Sequence, residues 1–311
     1  MQAILETVLP VFGLVLCGYV VGRKNWMSEE AIKGLSTFVF YFAIPALLFR
    51  AMARGAGPIE FTIVAAYFSA VLTTFLLALL VARLLFRTGP AERVLFGMGT
   101  VFSNTVLLAI PLVFTALGEE AGRQLMLIIT FHAVLIFPVV TVLIEVALGA
   151  GQRWRRLALN TAKSLALNPI ILAPLAGIAY GQSGLPLPGA GERFLALLGG
   201  AAAPCALFAL GASLAVFKIS GDLKETFGIV AMKLVVHPAA MAVFALYVFD
   251  LPPLAAAVAI LTAACPSGAN VFIMARQYDL YLGRSASAVL ISTAVSVVTL
   301  SLLLAFLKPA L

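Results

Sequence analysis

Two short runs of polar and helix-breaking residues sit inside apolar windows, where they carry the greatest chemical interest. Ser103, Asn104 and Thr105 form the first, with Pro111 seven residues beyond Asn104; Pro266, Ser267, Gly268 and Asn270 form the second. Proline removes a helical hydrogen bond and glycine loosens the backbone, so both windows are expected to break in mid-helix. In lipid such a break leaves costly orphaned N–H and C=O groups unless protein or water satisfies them. It is therefore tolerated where it lines a cavity. A helix that restarts after a break presents free N–H groups and a partial positive charge, which suits a carboxylate. The side-chain amides of Asn104 and Asn270 can donate and accept, and the hydroxyls of Ser103, Thr105 and Ser267 add further contacts.

Titratable residues supply a second chemistry. Lys233 and His237 are four apart, on one helical face, with Pro238 just after. An ionised group at a bilayer centre costs about 2.5–3.5 kcal/mol, so each needs a role. The pair could attract an anion or accept a proton in a cavity. Equally, Lys233 could reach to the inner surface while His237 makes an internal hydrogen bond. His132, ahead of Pro138, is either a third relay group or a structural one. Glu6 and Glu145 lie near window ends and are expected to reach interfacial water, with Arg276 anchoring the inner side. No aspartate falls in a window centre, so a sodium site would have to use backbone carbonyls. Ser267 with His237 as base would be the nucleophile of an intramembrane enzyme. Against that, Cys265 stands where a nucleophile elbow needs glycine, and no HExxH stretch occurs. No catalytic role and no cofactor or metal is therefore expected. Cys17, Cys205 and Cys265 lack ligand spacing and read as packing.

The elements that hold these residues are long and apolar. Of 311 residues, 63% are hydrophobic and 11% charged, with mean hydropathy +1.11, far from the roughly 25% charge of a soluble domain. The net charge of +7 is thus no nucleic-acid footprint. Crossing the hydrocarbon takes about 20 apolar residues, and ten windows qualify: 3–22, 32–52, 60–86, 93–116, 122–148, 160–181, 192–216, 225–249, 253–275 and 284–307. The first reads as a retained span and not a signal peptide, because no basic residue precedes it and Glu6 lies inside it. Fourteen of the twenty Lys and Arg fall in odd-numbered loops, against five in even loops and termini. By the positive-inside rule both termini are extracytoplasmic, in a multi-pass protein of the cell (inner) membrane.

A gapless slide of 159 positions brings Pro10 onto Pro169, Gly18 onto Gly177, Gly22 onto Gly181, Pro45 onto Pro204 and Phe49 onto Phe208. Self-similarity at a fixed offset marks a repeat. With five windows per copy, the second copy enters the membrane inverted. Under the same offset Pro111 falls on Asn270, so the two breaks are expected to face each other.

Asn104-Thr105 followed by Ile110-Pro111-Leu112 resembles the Asn-Thr…Ile-Pro-Leu stretch of the auxin efflux carrier family, which includes plant carriers and bacterial malonate or malate permeases. Pro266-Ser267-Gly268 through Phe272-Ile273-Met274-Ala275-Arg276-Gln277-Tyr278 is similar to that family's ninth-span signature. The resemblance implies an all-α polytopic membrane protein of ten transmembrane helices, arranged as two inverted five-helix repeats with broken crossing helices 4 and 9. It implies scaffold helices at 1–52 and 160–216, a transport unit at 60–148 and 225–307, and a homodimer in lipid. The implied activity is secondary transport of a small organic anion, an auxin-like carboxylate or a dicarboxylate, by alternating access. A sodium-coupled organic anion symporter of bile-acid-symporter type is the alternative. Two features depart from plant members: Val271 stands where a second proline is expected, and only about ten residues around Arg153–Arg156 join spans 5 and 6.

Overall fold

The computed structural model describes residues 2–54, 62–149 and 167–307. The basic join at Arg153, Arg155, Arg156 and Lys163, the start of the sixth window, the side chain of Glu6, and Lys308 lie outside what is described.

Helix starts follow from the residues that open them. Ser28 caps the helix Glu29–Phe38 by accepting from Ala31 N–H, with Glu29 and Glu30 in its first turn. Asn168 does the same for Ile170 N–H ahead of Pro169, and Asp222 accepts from the N–H groups of Lys224 and Glu225. In chain order, α1 is Gln2–Arg23, and α2 (Glu29–Phe38) runs through a π turn at Val39–Ala43 into α3 (Ile44–Ala53). Next come α4 (Thr62–Leu84), α5 (Pro90–Val101), a π turn at Thr105–Ala109 and α6 (Ile110–Ala147). Beyond the undescribed stretch are α7 (Pro169–Gln182), α8 (Gly189–Gly200) and α9 (Ala202–Leu214). The last are α10 (Leu223–Ala231), α11 (His237–Val243), α12 (Pro253–Ala264), α13 (Asn270–Tyr278) and α14 (Leu282–Leu307); π turns at Met232–Val236 and Phe244–Val248 flank α11.

Six helical stretches among the described residues are long and apolar enough to cross a membrane: Glu29–Ala53, Thr62–Leu84, Thr105–Ala147, Gly189–Leu214, Leu223–Val248 and Leu282–Leu307. Shorter apolar helices cover Leu9–Arg23, Pro169–Gln182 and Pro253–Ala264. Four windows account for the difference from ten: the first and sixth are represented among the described residues by the shorter helices Leu9–Arg23 and Pro169–Gln182, and the other two have structural causes. The fourth and fifth windows join through Gly118, whose φ of 86° and ψ of −174° break the helical path without a loop. The ninth is cut between α12 and α13, so neither half is long enough.

The chain divides into two compact units. The first takes Met1–Phe61, Val106–Thr130 and Ser164–Val216, and the second takes Thr62–Thr105, Phe131–Lys163 and Phe217–Leu311. In the first, α1 packs along α9 and α3 along α7. Glycine sets how closely. A Cβ on Gly18 would stand 2.0 Å from Phe208 O, and one on Gly177 would stand 2.5 Å from Phe49 O. Likewise Gly22 faces Ala212 O at 2.8 Å and Gly181 faces Ala53 O at 3.0 Å. Every residue in one contact is 159 positions from its counterpart in the other, with the partners exchanged. Backbones approach this closely where small residues line the seam.

In the second unit α4 packs on α5 and on α11, and α10 packs on α14. Its fully buried side chains include Tyr67, Leu95, Phe96, Met98 and, unexpectedly, Lys233. Glu145 is also buried, at 4% exposure, so it does not reach interfacial water: α6 carries it on the packed face of this unit. Arg276 is exposed in the last turn of α13, where an anchor is expected.

Candidate functional site

Both expected breaks lie in the second unit, and they meet. After Val101, α5 stops: Phe102 has φ −81° and ψ 96°, an extended conformation. After Ala264, α12 stops at Cys265, with φ −59° and ψ 146°. The freed strands run antiparallel, with Ser103 opposite Ser267. Asn104 N–H donates to Pro266 O and Gly268 N–H to Phe102 O, each at 2.9 Å. This exchange satisfies backbone groups that the breaks would otherwise leave orphaned in an apolar interior. A Cβ on Gly268 would stand 3.1 Å from the Phe102 ring and 3.2 Å from Ser103 O, so a small residue keeps the two strands close.

The register of the crossing differs from expectation. Ser103 and Ser267 are 164 positions apart, five more than the offset of the first fifty residues. The strand pairing therefore centres on Ser103 and Ser267 and not on Pro111 and Asn270. Pro111 is the second residue of α6, in the first unit, while Asn270 opens α13 and is half-buried. Asn104 and Thr105 stay with the crossing, 6% and 5% exposed.

Side chains tie the crossing down. Ser267 Oγ donates to Gly99 O at 2.7 Å, in the last turns of α5, and Ser267 N–H donates to Ser292 Oγ of α14 at 3.1 Å. Lys233 Nζ donates to Ser103 Oγ at 2.8 Å and to Ala263 O at 2.6 Å, in the last turn of α12. Lys233 therefore points inward and does not extend to the inner surface; its side chain is 0% exposed. His237 makes the internal contact, with Nδ1 3.2 Å from Thr74 Oγ1. His132 Nδ1 lies 3.3 Å from the Tyr67 hydroxyl, and its ring sits tilted against that of Phe102, with centroids 4.5 Å apart, beside the break. The Tyr67 ring lies 5.8 Å from His132 and 6.1 Å from His237.

Tyr67, Thr74 and Ser292 were not singled out from the sequence. A signal existed for two of them: Tyr67 and Thr74 are seven apart, two helical turns on one face of an apolar helix. Ser292 belongs to a buried hydroxyl stripe on α14 with Ser285 and Ser296, spaced seven and four. As for metals, the described residues hold no group of three or more His, Cys, Asp or Glu placed to bind one.

Broken apolar helices, here paired strand to strand and supported by buried polar side chains, are a feature of many secondary-transporter folds. The sequence matches the family model described as membrane transport protein over residues 3–304, and the chain belongs to that family, which includes auxin efflux carriers. It is a membrane transporter. It is 34% identical to a protein of Rhizobium meliloti (strain 1021) named "Putative malonate transporter", over 99% of this chain and 97% of the relative. It is 27% identical to an uncharacterized transporter of Methanothermobacter thermautotrophicus over 96% of each chain. It is 24% identical to auxin efflux carrier component 8 of Arabidopsis thaliana, over 89% of this chain and 90% of that protein.

Proposed function

We propose that this protein is a secondary carrier of a small organic anion, with a dicarboxylate of malonate size as first candidate. The observation that carries the reading is the antiparallel pairing at Ser103 and Ser267, with Asn104 inside one break and Asn270 opening the helix after the other. Such breaks place helix ends and side-chain amides at a carrier's binding level. Ser103 and Ser267 have hydroxyls engaged within the crossing, so they position it, together with Pro266 and Gly268. Recognition falls to Asn104, Thr105 and Asn270, and Pro111 serves the restart of the helix. The malonate in the name of the Rhizobium relative favours a carboxylate.

The architecture we assign is ten spans in two inverted repeats of five, with both termini extracytoplasmic. The reciprocal glycine contacts at 159 positions support it, since they repeat one helix pair with the partners exchanged. In this reading 1–52 and 160–216 form a scaffold through which two copies pair in the membrane, and 60–148 with 225–307 carry the substrate. The carrier reading also argues against an enzyme centred on Ser267, whose hydroxyl donates to the Gly99 carbonyl and, among the described residues, is in hydrogen-bond contact with no base.

The test is uptake of radiolabelled malonate into proteoliposomes. Wild type should show saturation and counterflow. Asn104→Ala and Asn270→Ala should each raise the half-saturation concentration about tenfold, as expected for one lost hydrogen bond to a charged ligand. Gly13→Ala, where an added Cβ meets nothing within 4 Å, is the control. Unchanged saturable uptake in both asparagine variants would remove the site.

A further inference from the structure

A lysine side chain reaches into the crossing. Both α5 and α12 end there, and a helix C-terminus carries partial negative charge on carbonyls that lack an intrahelical partner. In carriers with broken helices, such ends and the unwound carbonyls beside them coordinate exchangeable sodium ions or protons. Here the Lys233 Nζ stands against such a helix end. It lies 2.6 Å from Ala263 O in the last turn of α12 and 2.8 Å from Ser103 Oγ in the strand that follows α5. It is 0% exposed, and it is carried by the π turn Met232–Val236. A π turn re-aims side chains within a continuous helix and recurs at functional positions. Glu225, a buried carboxylate of the same unit, is engaged elsewhere, with Tyr281 and Arg284.

We propose that Lys233 is the resident cation of the crossing, occupying the place an exchangeable coupling cation would take, so that transport runs without sodium. The inference rests on the carrier reading for its meaning in transport, but the cation site itself can be tested separately. An attached ammonium neither leaves nor needs to be replaced between half-cycles. Removing it exposes the carbonyl and hydroxyl oxygens, which then call for a free cation.

Two measurements decide the matter. The first is thermal unfolding of purified wild type, Lys233→Ala, Lys233→Met and Lys233→Arg in choline, sodium, potassium or methylammonium chloride at fixed ionic strength. Wild type and Lys233→Arg should give one melting temperature in all four salts. Lys233→Ala should melt several degrees lower in choline and recover at least half of that loss, saturably, in sodium, potassium or methylammonium. Lys233→Met, whose longer side chain fills the space, should not recover. The second is malonate uptake in the same salts. Wild-type uptake should vary less than about twofold between sodium and choline, and Lys233→Ala should lose at least tenfold in choline, regaining part with the rescuing cation.

Failure of wild type to transport any carboxylate, with cation rescue of Lys233→Ala still visible in melting, would overturn the carrier reading and leave the cation site standing. Strict sodium dependence of wild-type uptake would overturn the proposal. So would a Lys233→Ala protein as stable as wild type in choline, or one that no cation recovers.

Discussion

The two compact units keep apolar helices together by opposite means. In the first, helix pairs approach until glycine is the only residue that fits, as where Gly18 meets Phe208 O and Gly177 meets Phe49 O. In the second, helices are interrupted and the interruption is repaired by polar groups: two backbone hydrogen bonds across the crossing, Ser267 on Gly99, and Lys233 on Ala263 and Ser103. Glycine seams tolerate no added atoms and leave little to adjust. A polar crossing can be re-formed with different partners, which a moving element requires. On the proposed carrier reading, the close seam would serve as a scaffold and the crossing as the element that rearranges.

The sharpest way to break the comparison is to widen both kinds of contact by one side chain. Gly18→Val should be the most damaging substitution, because its Cβ would stand 2.0 Å from a backbone oxygen that cannot move without its helix. Overpacking typically costs about 1–3 kcal/mol and more where backbone must shift, so expression should fall and the melting temperature of any purified protein should drop by many degrees. Gly177→Val, at the equivalent contact, should match it. Gly268→Ala should be milder, since its nearest neighbours are a ring atom at 3.1 Å and Ser103 O at 3.2 Å. If Gly18→Val is tolerated while Gly268→Ala is not, the roles given to the two units are reversed. Fluorescence-detected size exclusion across a temperature series reads all three.

Next in size is the polar repair itself. Ser267→Ala removes the donor to Gly99 O and leaves a buried carbonyl short of one partner. The expected loss is about 1–3 kcal/mol. Because it falls in the unit proposed to move, uptake should slow even where the fold survives. A stable Ser267→Ala protein with normal turnover would show that this hydroxyl adds nothing beyond the backbone pairing.

Much of this contrast was legible before any coordinates. Helix breakers and asparagines marked both interruptions, since proline and glycine act locally and a break in an apolar helix stands out against its neighbours. The glycine seam was implicit in the 159-position repeat. What local signals could not carry was register. The second half has five more residues between its seam and its break than the first, so a gapless slide over residues 1–50 set Pro111 on Asn270, whereas strand pairing sets Ser103 on Ser267. Side-chain direction was equally hidden. Spacing put Lys233 and His237 on one face, but whether Lys233 turned inward depended on partners 130 and 30 residues away, Ser103 and Ala263. The join at Gly118 falls between the fourth and fifth windows, 93–116 and 122–148, where a single residue with φ of 86° separates the two helices.

The finest test sets two charged clusters side by side. In the first unit Arg50 donates to Glu119 and Glu192, each at 2.7 Å, and Arg54 pairs with both carboxylates, but Arg54 and Glu119 have side chains 43% and 47% exposed. Exposed pairs contribute about 0–1 kcal/mol and weaken with salt, so Arg54→Gln should barely move the melting temperature. In the second unit the Tyr281 hydroxyl donates to Glu225 Oε2 at 2.5 Å, with Arg284 Nε 3.0 Å from the same oxygen and Glu225 only 8% exposed. Burial first, then the hydrogen bond to Glu225 and its charge, hold the Tyr281 phenol well above the usual tyrosine range. The fold therefore favours the neutral phenol. Its contribution is whole below the unfolded tyrosine value of about 10 and is lost as pH rises from there toward the folded value. Tyr281→Phe should cost about 1.5–3 kcal/mol at neutral pH, the range for a hydrogen bond to a charged group. It should also flatten the fall in melting temperature above about pH 10 that wild type shows. Equal small effects from Arg54→Gln and Tyr281→Phe, with identical alkaline profiles, would mean that burial does not separate the two clusters and that the second unit leans on its crossing alone.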